Sequence, residues 1–93
     1  MIFAKPPEGF TWVELEEAKK QISKFLSDNE DMHDWWNLLK AELSMHGAEL
    51  GRKHENGKAG FFTLSLNEPV KIKIYYQLTG DRIRVHELIT DAK

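Results

Sequence analysis

The chain has 93 residues, of which 41% are hydrophobic and 30% charged, with a net charge of −2 and no cysteine. These values predict one ordinary globular domain, residues 1–93, rather than a disordered chain. The lack of cysteine excludes a disulfide scaffold, thiol catalysis and cysteine-ligated zinc. Residues 1–10 do not resemble a signal peptide, and no segment approaches the roughly 18 apolar residues of a membrane span. We therefore expect a cytoplasmic protein with no membrane partner.

Charge is divided unequally along the chain. Residues 1–51 hold five lysines and ten acidic residues, a net charge of −5, whereas residues 52–93 hold eight basic and five acidic residues, a net charge of +3. This division predicts a dipolar molecule with one side that faces anions. The pI near 6.1 argues against strong non-specific binding of nucleic acid, because dedicated binding domains usually have a pI above about 9.

Residues 11–50 have the pattern of a helical hairpin that follows an N-terminal arm, residues 1–10, in which Met1–Ala4 has room for a short strand. Thr11 and Glu14 have the spacing of a helix capping box. Apolar residues then recur at helical spacing in both helices: Leu15, Ala18, Ile22, Phe25 and Leu26 in the first, and Met32, Trp36, Leu39 and Leu43 in the second. The second helix is expected to end at Gly47 or to continue through Leu50.

Residues 61–89 predict a three-stranded antiparallel meander whose register can be written down. A two-residue loop at Gly80-Asp81 pairs Leu78 with Ile83 and Tyr75 with His86. A three-residue loop, Asn67–Pro69, then pairs Leu66 with Val70, Leu64 with Ile72 and Phe62 with Ile74. In this register Ile74 faces Glu87, so we expect either a bulge near His86-Glu87 or an early end of the last strand. The predicted fold is α+β, of order (β)ααβββ, with the hairpin packed on one face of the meander.

The other face of the meander is the first candidate binding surface. Its predicted members are Phe61, Lys71, Lys73, Tyr75, Arg82, Arg84 and His86. Single-stranded nucleic acid binds such faces, because bases stack on rings and phosphates contact lysine and arginine. The other interpretation is an ordinary solvated sheet face, which normally carries such residues because it is wet.

A basic, glycine-rich loop, residues 51–60, precedes the meander and is the second candidate. It contains Arg52, Lys53, His54 and Lys58. The loop is not a phosphate-binding P-loop, because that motif requires a fixed glycine–lysine spacing and a helix after it. It is either a flexible anion contact at the rim of the sheet or a solvated connection.

Trp35 and Leu38 form the third candidate. Trp36 belongs to the apolar stripe of the second helix, and adjacent helical residues point about 100° apart, so Trp35 lies at the side of that stripe. Trp35 either covers the edge of the core or forms with Leu38 an anchor for a protein partner, since tryptophan is enriched at interface hot spots.

The element order and the segment from Ile74 to Val85 resemble the RelE/ParE superfamily of small bacterial toxins, in which that segment is the final hairpin. The resemblance implies an RNA-binding or ribonuclease toxin of a toxin–antitoxin system, with matching positions at His54, Lys73, Tyr75, Arg84 and His86. The proline-rich start and the low pI depart from the usual pattern of that group.

Other chemistries have less support. The four histidines are scattered without metal-ligand spacing, and no cofactor motif is present, so we expect neither a metal nor a cofactor. If the protein is an enzyme, we expect a metal-independent ribonuclease, with His54 and His86 for proton transfer and Arg84 for charge. The alternative function is a protein-binding inhibitor, immunity or phage-type accessory protein that acts through the helical hairpin or a sheet edge. A homodimer through edge strands is a further alternative.

Overall fold

A computed structural model describes residues 9–53 and 60–90 of the chain. In chain order the elements are strand β1 (Thr11–Glu14), helix α1 (Glu16–Asp28), a 3₁₀ turn (Glu30–Met32), helix α2 (His33–Leu50), and strands β2 (Arg52–Lys53), β3 (Phe61–Leu66), β4 (Ile72–Thr79) and β5 (Arg82–Thr90). The predicted α+β class and the predicted meander, β3 to β5, are confirmed. The predicted strand at Met1–Ala4 lies outside the described residues.

The five strands form one mixed sheet in the order β1-β5-β4-β3-β2. Strand β1 runs parallel to β5, and all other neighbours are antiparallel. The meander therefore gains a short strand at each edge, since β1 has four residues and β2 has two.

Strand β1 corrects the predicted start of the first helix. Thr11 and Glu14 do not form a capping box: Thr11–Glu14 is a strand, and α1 begins at Glu16 with no side-chain cap from Leu15. The Thr11 N–H donates to the Asp81 carbonyl oxygen at 2.7 Å. This N–H, which a capping box would have used, therefore bonds to the β4–β5 turn instead. The same strand directs Trp12 into the inner layer, where its ring meets Trp36 edge to face at 6.1 Å.

The hairpin between β4 and β5 has the predicted two-residue loop at Gly80-Asp81. Leu78 pairs with Ile83, as expected, and the ladder shifts at a bulge between the Tyr75 and Tyr76 pairs. The bulge confirms the first of the two alternatives, and beyond it Tyr75 pairs with Glu87 rather than with His86. The predicted Tyr75–His86 pair is therefore wrong, and Ile74 now faces Leu88 instead of a carboxylate.

The predicted register between β3 and β4 is wrong by two residues. Leu66 pairs with Ile72 instead of Val70, and Phe62 pairs with Tyr76 instead of Ile74. The connection is accordingly longer than the predicted three residues. A shift of two keeps every side chain on its predicted face, because the side-chain period of a strand is two. The observed register stacks the Phe62 and Tyr76 rings, with 5.5 Å between centroids and 8° between planes.

The helical hairpin packs on the inner face of the sheet, as predicted. The core joins residues of both layers: Phe10, Ala18, Ile22, Phe25, Trp36 and Leu43 from the first half, and Phe62, Leu64, Ile72, Ile74, Tyr76, Leu78, Ile83, Val85 and Leu88 from the sheet. Met32 and Leu39 are partly buried against it. Because both helices lie on one side, most of the exposed and half-buried residues of β3, β4 and β5 lie on the other. No helix in the described ranges is long and apolar enough to cross a membrane.

Helix α2 continues through Leu50, the second of the two expected ends, and changes direction near its end. His46 has non-helical backbone angles, φ −129° and ψ 27°. Gly47 next to it is buried against the sheet, where a Cβ would lie 3.4 Å from Leu78 and 3.5 Å from Ile83. Close contact between the backbone of α2 and strands β4 and β5 therefore accompanies the kink.

Candidate functional site

The face of the sheet opposite the helices, hereafter the outer face, is formed by the side chains that alternate with the core residues. In β4 and β5 the core positions are fully buried, whereas their neighbours are half-buried or exposed. The alternation places these residues on the outer face: Phe61, Thr63 and Ser65 of β3, Lys73, Tyr75 and Gln77 of β4, and Arg82, Arg84, Glu87 and Ile89 of β5. Lys71, exposed just before β4, continues the row.

Three aromatic side chains meet in the middle of the outer face. The ring centroids of Phe61 and Tyr75 lie 5.5 Å apart, those of Phe61 and His86 5.3 Å, and those of Tyr75 and His86 5.8 Å. All three are half-buried. We call these residues the ring cluster. The predicted register places all three in one cross-strand row, because a Phe62–Ile74 pair implies a Phe61–Tyr75 pair. In the structure Phe61 pairs with Gln77, so the rings meet diagonally.

The β-bulge completes the ring cluster. It gives β5 one additional residue opposite β4, and His86 occupies that position between the Val85–Tyr76 and Glu87–Tyr75 pairs. His86 and Glu87 thus both approach the outer face, although neighbours in a regular strand point to opposite faces. The sequence pattern suggested the bulge but not that Glu87 would join the outer face.

The environment of His86 favours the neutral imidazole. Its Nε2 atom lies 3.3 Å from Oε1 of Gln77. Burial lowers the pKa of His86 below its ordinary value of 6.5, and the positive charge of Arg84 lowers it further, while Glu87 opposes both effects. The net direction is downward, so His86 is predominantly uncharged at pH 7.

Cationic side chains lie on two sides of the ring cluster along the strands. Arg82 and Arg84 lie toward the β4–β5 turn, and Lys71 and Lys73 lie toward the opposite end of the sheet. Beside these lysines is a shallow cleft of about 200 Å³ lined by Lys71, Ile72, Lys73, Ile89 and Thr90. Ile89 is 48% exposed there. The outer face therefore presents rings at its centre and cations at both ends, with one carboxylate, Glu87, beside the rings.

The basic loop is only partly within the described residues. Arg52 is exposed and belongs to strand β2, where it pairs with Thr63 of β3. The sequence pattern did not reveal β2, because a two-residue strand has no periodicity. The side chain of Lys53 and all of His54 and Lys58 lie outside the described residues. Arg52 is thus the one predicted cation of this loop whose side chain is placed, at the edge strand beside β3.

Trp35 and Leu38 lie on the opposite layer of the molecule. Trp35 is half-buried and contacts Phe25 at 6.3 Å between ring centroids, whereas Leu38 is 68% exposed. Trp35 therefore packs on the edge of the core, and Leu38 extends the apolar surface beyond it. Among the described residues, no three histidine, aspartate or glutamate side chains converge as metal ligands.

Comparisons of the chain with protein-family models, with curated proteins and with solved structures find no match in any of the three.

Proposed function

We propose that this protein binds RNA or another polyanion through the outer face. The observation that carries the proposal is the ring cluster of Phe61, Tyr75 and His86 with Arg84 on one side and Lys73 on the other. Half-buried rings beside cations are more specific than a wet sheet face requires, because scattered threonines and lysines would suffice for solubility. The same combination offers both a phosphate contact and a stacking surface.

The charge distribution supports a local rather than a global attraction for anions. The excess of acidic residues lies in residues 1–51, of which the described part, residues 9–51, builds β1 and the helical layer, while the cations concentrate in residues 52–93. A polyanion would therefore be drawn to the sheet side and repelled from the helix side. We expect micromolar rather than nanomolar affinity, since the overall charge is −2.

The experiment is fluorescence-anisotropy binding of a mixed-sequence single-stranded RNA between 50 and 300 mM salt. The test variant is Lys73→Gln with Arg84→Gln, and the matched control is Lys19→Gln with Lys20→Gln, two exposed lysines of α1. We expect the wild-type affinity to fall with salt, and the test variant to show a slope shallower by about 0.7 for each lost phosphate contact of a single strand. Unchanged binding in the test variant, with its melting temperature intact, would refute the proposal.

Cleavage of RNA is a separate question that the same samples answer on a gel. A ribonuclease on this face would use neutral His86 to accept the proton of the 2′-hydroxyl as that oxygen attacks the phosphorus, and Arg84 to stabilise the charge that develops on the phosphate. The bond from phosphorus to the 5′-oxygen would break, and the departing 5′-oxygen would take a proton from water. Its activity would disappear in His86→Gln. If the RNA stays intact after prolonged incubation, the protein binds RNA without cleaving it.

The exposure of Leu38 favours a second candidate function, docking of a protein partner on α2. Leu38 is the most exposed of the large hydrophobic residues in the described chain, and the exposed acidic residues Asp34 and Glu42 lie one turn to either side of it. Leu38→Ser should weaken the binding of such a partner. Lys19→Ser, a change on the other helix, is the control and should leave the binding unchanged. A partner that binds both variants equally would exclude α2 as its docking surface.

A further inference from the structure

We propose that the ligand of the outer face is a single-stranded nucleic acid that stacks an unpaired base on the ring cluster and runs diagonally across the sheet. This inference rests on the proposed function and narrows it, because duplexes and simple polyanions offer phosphates without an accessible base. It also assigns a path to the strand, from Arg82 and Arg84 of β5 near the β4–β5 turn to Lys73 and Lys71 at the opposite end of the neighbouring strand β4.

The dimensions of the ring cluster suit one base. Phe61, Tyr75 and His86 belong to three adjacent strands, β3, β4 and β5, and their ring centroids form a triangle with sides of 5.3, 5.5 and 5.8 Å. The planes of neighbouring rings differ by 30° to 56°, so the rings do not form a closed stack. Their partial exposure leaves aromatic surface for a base, and stacking is tolerant of sequence because every base has a π face.

The polar groups beside the rings suit a neutral, hydrogen-bonding ligand. Gln77 lies directly opposite Phe61 in the sheet, and its Oε1 atom is 3.3 Å from His86 Nε2. An amide at this position offers donors and acceptors to the edge of a base that lies on the rings. An unpaired base exposes both its face and its edge, whereas a paired base in a duplex exposes only the edge.

The path of the phosphates follows from the one carboxylate among these cations. Glu87 lies directly opposite Tyr75, and its strand continues to the apolar Ile89. The half of β5 beyond the bulge therefore repels phosphate, while the half before it carries Arg82 and Arg84. On β4 the cations lie on the other side of Tyr75, at Lys73 and the preceding Lys71. A strand that avoids Glu87 must cross from β5 to β4 over the ring cluster.

A surface that binds any polyanion needs only lysines and arginines, and it does not need a ring cluster with a carboxylate beside it. Cations alone attract heparin-like chains, duplexes and single strands in proportion to charge density. The bulge brings His86 into contact with the other two rings while placing Glu87 beside them, and this combination favours an aromatic ligand at the centre and restricts where charge can pass.

The test compares three probes of ten nucleotides each at 50 mM salt: a single-stranded RNA, an abasic strand of the same charge, and an RNA duplex. We expect the single strand to bind about 5- to 150-fold more tightly than the abasic strand, the range of one stacked base. Tyr75→Leu, which keeps apolar bulk without a π system, should abolish that difference, so that the single strand binds only as tightly as the abasic strand. Phe61→Leu provides a second variant of the same kind.

The path is tested with Glu87→Gln, and Glu42→Gln on α2 is the matched control. Glu87→Gln should strengthen binding of both the single strand and the abasic strand several-fold, whereas Glu42→Gln should leave both unchanged. If Glu87→Gln has no effect, the diagonal path is wrong. If the three probes bind with affinities set by charge alone, the stacking inference is wrong and the proposed function stands. If none of them binds, the proposed function itself is refuted.

Discussion

The hydroxyl of Tyr76 donates a hydrogen bond of 2.5 Å to the carbonyl oxygen of Gly47, and this contact ties the central strand of the sheet to the last turn of α2. Tyr76 is fully buried, and burial raises the pKa of its hydroxyl, so the group remains a donor well above neutral pH. The bond joins residues 29 positions apart in the sequence. It therefore adds a polar link between the helical layer and the sheet to the apolar packing of the core.

Tyr76→Phe should lower the free energy of unfolding by about 1–3 kcal/mol, because a buried carbonyl oxygen loses its partner. Urea denaturation measures the loss. Tyr75→Phe is the control, since it removes the same hydroxyl from a neighbouring residue that is only half-buried, on the outer face of the sheet. If both variants lose the same free energy of unfolding, the hydrogen bond to Gly47 makes no specific contribution to stability.

Two glycines near this contact should respond in opposite ways to alanine. At Gly47 the added Cβ meets Leu78, Ile83 and Tyr76 at 3.4–3.7 Å, an ordinary contact distance, and alanine favours a helix by up to about 1 kcal/mol. At Gly51 the added Cβ would overlap the Tyr76 hydroxyl. Gly51→Ala should therefore destabilise the protein by about 1–3 kcal/mol, and Gly47→Ala should be neutral or stabilising. Thermal denaturation of both variants checks the order, which would be reversed if the kink at His46 depended on Gly47.

The amide of Leu88 depends on one side chain of α1. Strand β1 covers β5 only along Arg82–Val85, and farther along the Leu88 N–H donates to Oε1 of Gln21 at 2.7 Å. Gln21→Ala should leave this amide without its partner, destabilise the protein by about 1–3 kcal/mol and accelerate its hydrogen exchange.

Gln21→Glu is the matched variant, because its carboxylate still accepts the bond, and it should retain the slow exchange of Leu88. Exchange at Leu78, whose amide bonds the Gly60 carbonyl oxygen, provides an internal reference. If Leu88 exchanges at the same rate in all three proteins, Gln21 does not protect the edge of β5.

His86 should make the protein less stable in mild acid. Its pKa in the folded state is lowered below the ordinary value of 6.5, so the unfolded chain binds the proton more readily. The free energy of unfolding should therefore decrease as the pH falls through 6.5 and level off below the folded-state pKa. The groups that face His86 are Phe61, Tyr75 and Gln77 from the neighbouring strands and Arg84 and Glu87 from its own.

His86→Gln should remove this part of the pH dependence, as measured by urea denaturation between pH 5 and 8. His33→Gln is the control, because His33 is exposed at the start of α2. A pH dependence unchanged in His86→Gln would mean that protonation of this residue does not distinguish the folded from the unfolded state.

Local patterns were sufficient for the β4–β5 pairs that lie between the turn and the bulge. The Gly80-Asp81 loop has only two residues, so it leaves one register that keeps Leu78 and Ile83 on the same face. The misfit of Ile74 against Glu87 in that register left two alternatives, a bulge or an early end of the strand, because a buried isoleucine does not pair with a carboxylate, and the structure has the bulge. Where the loop length and the burial pattern of the side chains allow only one register, the local sequence is sufficient to predict which residues pair.

The β3–β4 register could not be decided in the same way. The predicted and observed pairings differ by two residues, and both keep Phe62, Leu64 and Leu66 on the inner face. What separates them is how well side chains pack, such as the stacking of Phe62 on Tyr76, which belongs to the assembled core. The ring cluster still formed because diagonal neighbours on one face also lie within reach of aromatic side chains.

Strand β1 shows the limit of local reasoning most directly. The residues from Thr11 to Glu14 have the spacing of a helix capping box, yet they form a strand. Their backbone pairs with β5, some 70 residues away in the chain, and Trp12 is drawn into contact with Trp36. Composition, strand alternation and the two-residue turn established the fold class and the residues of the outer face, because these depend on neighbours in sequence. Only tertiary packing selected β1, the β3 register and the place of Glu87, because each depends on contacts between distant residues.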